Sequence, residues 1–142
     1  MANTLKPTEE KRIYFEGLRL FNRGEFFEAH EVWEEIWSQV PDPRRERFYQ
    51  GIIQAAVTLE LLRRGKAVGV RKVFVSCKTL LETLPSPFMG LDIGGFLERL
   101  RHAIQPAVED LTAGSVRIQP DRLFAAELLY DPFLEPRNGE FR

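Results

Sequence analysis

Leu20-Phe-Asn-Arg-Gly24-Glu-Phe, set against Leu61-Leu-Arg-Arg-Gly65-Lys-Ala, decides the fold of this chain. The two stretches stand 41 residues apart, and each joins one helix-patterned segment to another through Arg-Gly. Glycine just past a helix end accepts the left-handed backbone that other residues avoid. Each Arg-Gly therefore reads as a helix C-terminus followed at once by a new helix. The match extends outward: Phe21 falls on Leu62, Ala29 on Val70 and Trp33 on Phe74. A repeated helix–turn–helix unit is the layout of helical-hairpin repeat proteins.

Outward from these turns, apolar spacing predicts five helices, over residues 8–23, 25–39, 44–64, 66–84 and 92–111. Thr8 is the expected N-cap of the first, with Glu9 and Glu10 in its first turn. Pro41 and Pro43 close the second. The third is apolar on nearly every side from Phe48 to Leu62, the mark of a central, buried helix. Pro106 is expected to kink or interrupt the fifth. The expectation is an all-α compact bundle over residues 1–114, with an extended C-terminal arm over 115–142. A short helix is expected at 124–130. The arm's apolar residues, among them Phe124, Leu128, Tyr130 and Phe133, need cover from the bundle or from a partner subunit.

Composition narrows the class. With 142 residues, 44% of them hydrophobic and 29% charged, the chain has the make-up of one ordinary globular domain. Twenty basic against 21 acidic residues leave a net charge of −1, without the basic excess of a nucleic-acid binder. The single cysteine, Cys77, excludes an internal disulfide and suits a reducing, cytoplasmic setting. Residues 1–10 have no signal-peptide shape. No stretch approaches the roughly 20 apolar residues that span a bilayer, so no membrane partner is expected.

The second helix carries most of the chemistry: Glu25-Phe-Phe-Glu-Ala-His-Glu-Val-Trp-Glu-Glu-Ile-Trp37. At about 100° per residue, Phe26, Ala29, Trp33, Ile36 and Trp37 share one face, and Glu28, Glu31 and Glu35 lie opposite. His30 sits at the edge of the apolar face, one turn before Glu34, so both side chains reach a common point. On the third helix Arg47, Gln50, Gln54 and Thr58 form a polar stripe inside an apolar helix, and such groups need partners. The short Pro-Asp-Pro connection makes the two helices antiparallel neighbours. A polar seam follows, with His30, Glu31 and Glu34 facing Arg47, Gln50 and Gln54, and Arg47 paired to a carboxylate.

Three readings of the seam compete: a buried hydrogen-bonded network that only specifies packing, a pocket for a small ligand, and a metal or catalytic site. In the last, His30 and Glu34 are the candidate ligands of a divalent metal, or His30 is a general base oriented by Glu34 or Glu31 in a hydrolytic enzyme acting on a small molecule. His30-Glu-Val-Trp-Glu34 is a His-Glu-x-x-His pattern with its last histidine replaced, and His102, the other histidine, lies on the fifth helix. Trp33 and Trp37 offer an aromatic box for a cation, or core. Cys77 lies in an apolar stretch and reads as packing. Arg63, Arg64, Lys66, Arg71, Lys72 and Lys78 form a basic patch able to pair with the acidic second helix or to bind an anion. Self-association as a homo-oligomer is expected from the apolar arm and the open ends of the hairpin repeat.

The blocks Phe26-Phe-Glu-Ala-His-Glu-Val-Trp-Glu-Glu-Ile-Trp37 and Arg47-Phe-Tyr-Gln-Gly-Ile-Ile-Gln-Ala-Ala56, with Arg64-Gly65 and Gly69, resemble the prokaryotic domain-of-unknown-function-309 family over roughly residues 14–97. The resemblance implies an α-helical bundle and a small cytoplasmic protein, and supplies no activity. By position its motif residues are Glu28, His30, Glu31, Trp33, Glu34, Trp37, Gln50, Gly51 and Gln54. Many relatives carry a histidine near the end of the third helix, where this chain has Glu60. Were that histidine a metal ligand, this chain lacks it.

Overall fold

In a computed structural model that describes residues 5–134, the two Arg-Gly turns are the same turn. Gly24 and Gly65 have φ of +79° and +76°. Glu25 N donates to Leu20 O at 2.9 Å and Gly24 N to Phe21 O at 3.0 Å; Lys66 N donates to Leu61 O at 2.9 Å and Gly65 N to Leu62 O at 3.0 Å. This crossed pair of bonds is the Schellman motif, which satisfies the last carbonyls of the incoming helix. The first turn joins α1 (Pro7–Asn22) to α2 (Phe26–Glu34), and the second joins α3 (Pro43–Arg63) to α4 (Ala67–Leu81).

Between the hairpins, Asp42 caps α3 by accepting from Arg44 N at 2.9 Å, and Pro43 occupies the first helical position, where no N–H is needed. α3 is the central helix: Phe48, Tyr49, Ile52, Ala55, Ala56, Leu59 and Leu62 are buried around its circumference. α5 (Ile93–Ala103) follows, capped by Asp92, which accepts from Gly95 N at 3.1 Å. The fifth segment is interrupted before Pro106, and a single further turn, α6 (Gln105–Val108), continues it. Arg71 of α4 gathers this end by donating to Ala107 O and Ala113 O, each at 2.9 Å.

Two expected elements differ. The second helix stops at Glu34 instead of running to 39. The chain then tightens into a 3₁₀ turn, Trp37–Gln39, ahead of Pro41. In the arm, 124–130 is irregular and bends at its end, and is not helical. Its backbone groups are taken by the bundle: Asn22 donates to Ala126 O at 3.0 Å and accepts from Ala126 N at 2.7 Å, and Leu129 N donates to Gly90 O at 2.7 Å. A helix would need those groups for itself. Phe124 packs against Phe21 and Phe96, Phe133 against Tyr14 and Phe15, and Lys11 reaches Asp131 at 2.9 Å. Leu129, Tyr130 and Leu134 stay exposed. Residues 135–142 of the arm, and residues 1–4, lie outside the described residues. Among the described residues there is no strand, and no helix is long and apolar enough to cross a membrane.

Candidate ligand groove between the second and third helices

Two adjoining depressions run along the junction of α2 and α3. The larger, about 300 Å³, is lined by Glu34, Trp37, Gln50, Ile53, Gln54 and Leu80. The smaller, about 200 Å³, is lined by Phe27, His30, Val57, Glu60, Leu61 and Arg64. The antiparallel course sets the order: 37 and 34 of the second segment share the larger depression with 50, 53 and 54 of α3, and 30 and 27 share the smaller with 57, 60, 61 and 64.

His30 lines the smaller depression, one helical turn before Glu34 of the larger. Its Nδ1 is 3.1 Å from Phe27 O, so Nδ1 carries the proton and donates to that carbonyl. Nε2 is then the open ring nitrogen, 3.6 Å from Glu34 Oε1. Glu34 is held from its other side, because Trp37 Nε1 donates to Oε2 at 3.1 Å. Gln50 and Gln54 are half-buried, and among the described residues neither side-chain amide has a hydrogen-bond partner within the protein. In the smaller depression Arg63 and Arg64 donate to the buried Glu60 carboxylate at 2.9 and 2.7 Å. The bond from Arg63, then that from Arg64, hold the Glu60 carboxyl below its ordinary value against the opposing effect of burial. Arg64 also lies over the Phe27 ring, 5.8 Å from its centroid.

Of the six seam residues, the structure places His30, Glu34, Gln50 and Gln54 along the two depressions, and not Glu31 or Arg47. Glu28 and Glu31 face solvent. Arg47 is exposed and donates to Thr83 Oγ1 at 3.4 Å, at the far end of α4, instead of meeting a carboxylate. α2 ends at Glu34, and Arg47, at the start of α3, turns toward Thr83 just past α4. The basic patch is likewise dispersed, with Arg63 and Arg64 on Glu60, Arg71 on carbonyls and Lys78 3.8 Å from Glu82. His102 is bonded to Arg122 from the arm and lines neither depression. Among the described residues no three His, Cys, Asp or Glu side chains are grouped to hold a metal ion, so His30 and Glu34 would supply two ligands.

Trp33 belongs to the core. It is 1% exposed, lies over Gly17 and donates from Nε1 to Tyr14 O at 3.2 Å. A Cβ at position 17 would stand 1.9 Å from that nitrogen, so the approach requires glycine. Cys77 is buried, and burial pushes its thiol up to about 12, far from a reactive thiolate.

One polar cluster escaped the sequence reading. Glu10, 1% exposed, pairs with Arg45 and accepts from Tyr49 OH at 2.7 Å. Burial, then the Glu10 charge, pushes the Tyr49 phenol far above its ordinary range. The signal was present: Glu10 heads the buried stripe Ile13, Tyr14, Gly17, Leu18 and Phe21, at helical spacing. This cluster joins α1 to α3, with Glu10 buried and Arg45 partly exposed.

The groove lies within a recognised segment. Residues 14–73 match the family described as "Domain of unknown function (DUF309)". The resemblance read from the motif blocks holds, and the matched segment takes in α2, α3, both Arg-Gly turns and every groove residue except Leu80. The chain is 32% identical over 98 residues to the uncharacterized protein YpuF of Bacillus subtilis, covering 68% of this chain and 56% of that one. It is 26% identical over 87 residues to an uncharacterized protein of Aquifex aeolicus, covering 61% of this chain and 26% of that one. The chain thus spans about half the length of the first relative and about a quarter of the second.

Proposed function

We propose that this protein is a binding module and that the α2–α3 groove is its ligand site. The observation that supports this is the pair of half-buried amides on Gln50 and Gln54, turned into the larger depression without internal partners. Neither amide has an atom that is both buried and unpaired, so both face the water of the depression and can exchange it for a ligand. Together with Glu34 they place a few polar groups on a floor of Ile53, Leu80 and Trp37, the usual make-up of a small-molecule site. The test is nuclear magnetic resonance of isotope-labelled protein against a mixed set of small polar molecules. Shifts gathered on the Gln50 and Gln54 side-chain amides and the Trp37 indole are the expected result. Shifts that avoid all three would overturn the reading. Gln54→Ala should leave stability within about 0.5 kcal/mol, as for a surface position. A loss of several kcal/mol would return the seam to a packing role.

A second reading, His30 as the general base of a hydrolase, draws support from the Phe27 carbonyl that fixes its tautomer and leaves Nε2 open beside Glu34. Chromogenic ester, amide and phosphate substrates test it: turnover abolished by His30→Gln, with the melting temperature kept, is the expected outcome, and its absence rejects catalysis.

A further inference from the structure

We infer that the larger depression takes an organic cation, a small ammonium or guanidinium compound on a short apolar stem. This rests on the groove being a ligand site and names the chemistry it selects. Of the six lining residues, Glu34 carries the single formal charge, and it is negative. The carboxylate is held in place by Trp37 Nε1 on Oε2, with His30 Nε2 at 3.6 Å from Oε1. A carboxylate has roughly four acceptor positions, so these contacts leave capacity for a ligand N–H. The side-chain oxygens of Gln50 and Gln54 add neutral acceptors on the opposite wall. Trp37 supplies the aromatic surface that attracts a cation most strongly, and Ile53 and Leu80 supply contact for a stem.

Charge excludes the alternatives. The arginines near the groove are directed elsewhere, Arg47 to Thr83 and Arg64 to Glu60. An anion in the larger depression would meet Glu34 with no cation to offset it. A neutral molecule would strip water from the carboxylate and return only weak hydrogen bonds.

The experiment uses one stem with three head groups: n-butylammonium, n-butanol and butyrate. Binding is read by tryptophan fluorescence and by the side-chain amide signals of Gln50 and Gln54. Trp33 is sealed in the core, so the optical response belongs to Trp37, and Trp37→Phe should abolish it. Butylammonium is expected to saturate, to weaken with added salt, and to bind about tenfold or more weakly to Glu34→Gln, the loss of a charge-assisted hydrogen bond. Glu34 is exposed enough for that variant to melt with the parent, which thermal unfolding checks. If butanol or butyrate binds as tightly as butylammonium, or Glu34→Gln binds unchanged, the cation inference is overturned while the groove remains a ligand site. If none of the three moves the amide signals, the cation inference is overturned, and the mixed-ligand titration decides the groove itself.

Discussion

The two hairpins share a turn and differ in almost everything laid across it. At positions 41 residues apart, Gly17 answers to Thr58, Trp33 to Phe74, Glu34 to Val75 and Glu10 to Gly51. In the first hairpin the absence of a side chain at Gly17 lets the Trp33 indole rest on α1 and donate to its backbone. In the second, Thr58 turns its hydroxyl back to Gln54 O at 2.7 Å, and Phe74 remains half-buried. Val75 is 62% exposed on the outer side of α4, whereas Glu34 lines the groove. The turn is set by a few local residues, so it repeats. The packing depends on what lies beyond each unit, so it does not. α3 belongs to the second hairpin yet lends a face to the first, and the candidate site lies at that joint.

Variants at matched positions test the contrast. Trp33→Ala should cost about 3–5 kcal/mol, while Phe74→Ala, half-buried, should cost about 1–2 kcal/mol, both by urea unfolding. Equal losses would mean that the second hairpin is sealed as tightly as the first. Glu10→Gln should cost about 3 kcal/mol, at the low end for breaking a buried ion pair because Arg45 is partly exposed; a neutral outcome would remove the tie between α1 and α3. At the shared turn, Gly24→Ala should cost about 1 kcal/mol for its positive φ. Gly65→Ala should cost more, because its new Cβ would lie 3.1 Å from Val116 O while nothing crowds position 24. An effect as small is expected at Glu60, whose counterpart is Arg19. Glu60→Gln should cost about 1 kcal/mol at neutral pH, since its two arginines are half-exposed. The Glu60 carboxyl is held low, so its contribution is present above the ordinary value of 4.5 and lost as pH falls through the lower folded value. Parent and variant should therefore converge in acid unfolding, and a gap that persists in strong acid would contradict this assignment.

Much of this arrangement was legible from the chain. Arg-Gly at two places, and an apolar third segment, were enough for the hairpins and the buried centre, because caps and periodicity are local. Glu34 and Gln54 were brought together on the same ground, from one helical register on each side of a short connection. Arg47 was misplaced because its partner, Thr83, lies just past α4, 36 residues on, where spacing within the second and third segments cannot reach. The arm was misread for a related reason: its apolar spacing suits a helix, but Asn22 and Gly90, far away in sequence, claim the backbone groups a helix needs. Glu10 was placed with the helix dipole because its true partners, Arg45 and Tyr49, lie across a fold that spacing within α1 does not describe.

The bond between Asn22 and Ala126 joins residues 104 apart, and Tyr14 OH donates to Met89 O across 75. Most helical bundles close through near neighbours and fold quickly for that reason. Here both hairpins can be complete on a growing chain well before residue 126 is made, since domains assemble in the order of synthesis. Phe21 and Tyr14 receive Phe124 and Phe133 only after a segment far along the chain has emerged. α1 is thus made well before the arm that covers its outer face, and in that interval this face is exposed apolar surface of the kind chaperones bind.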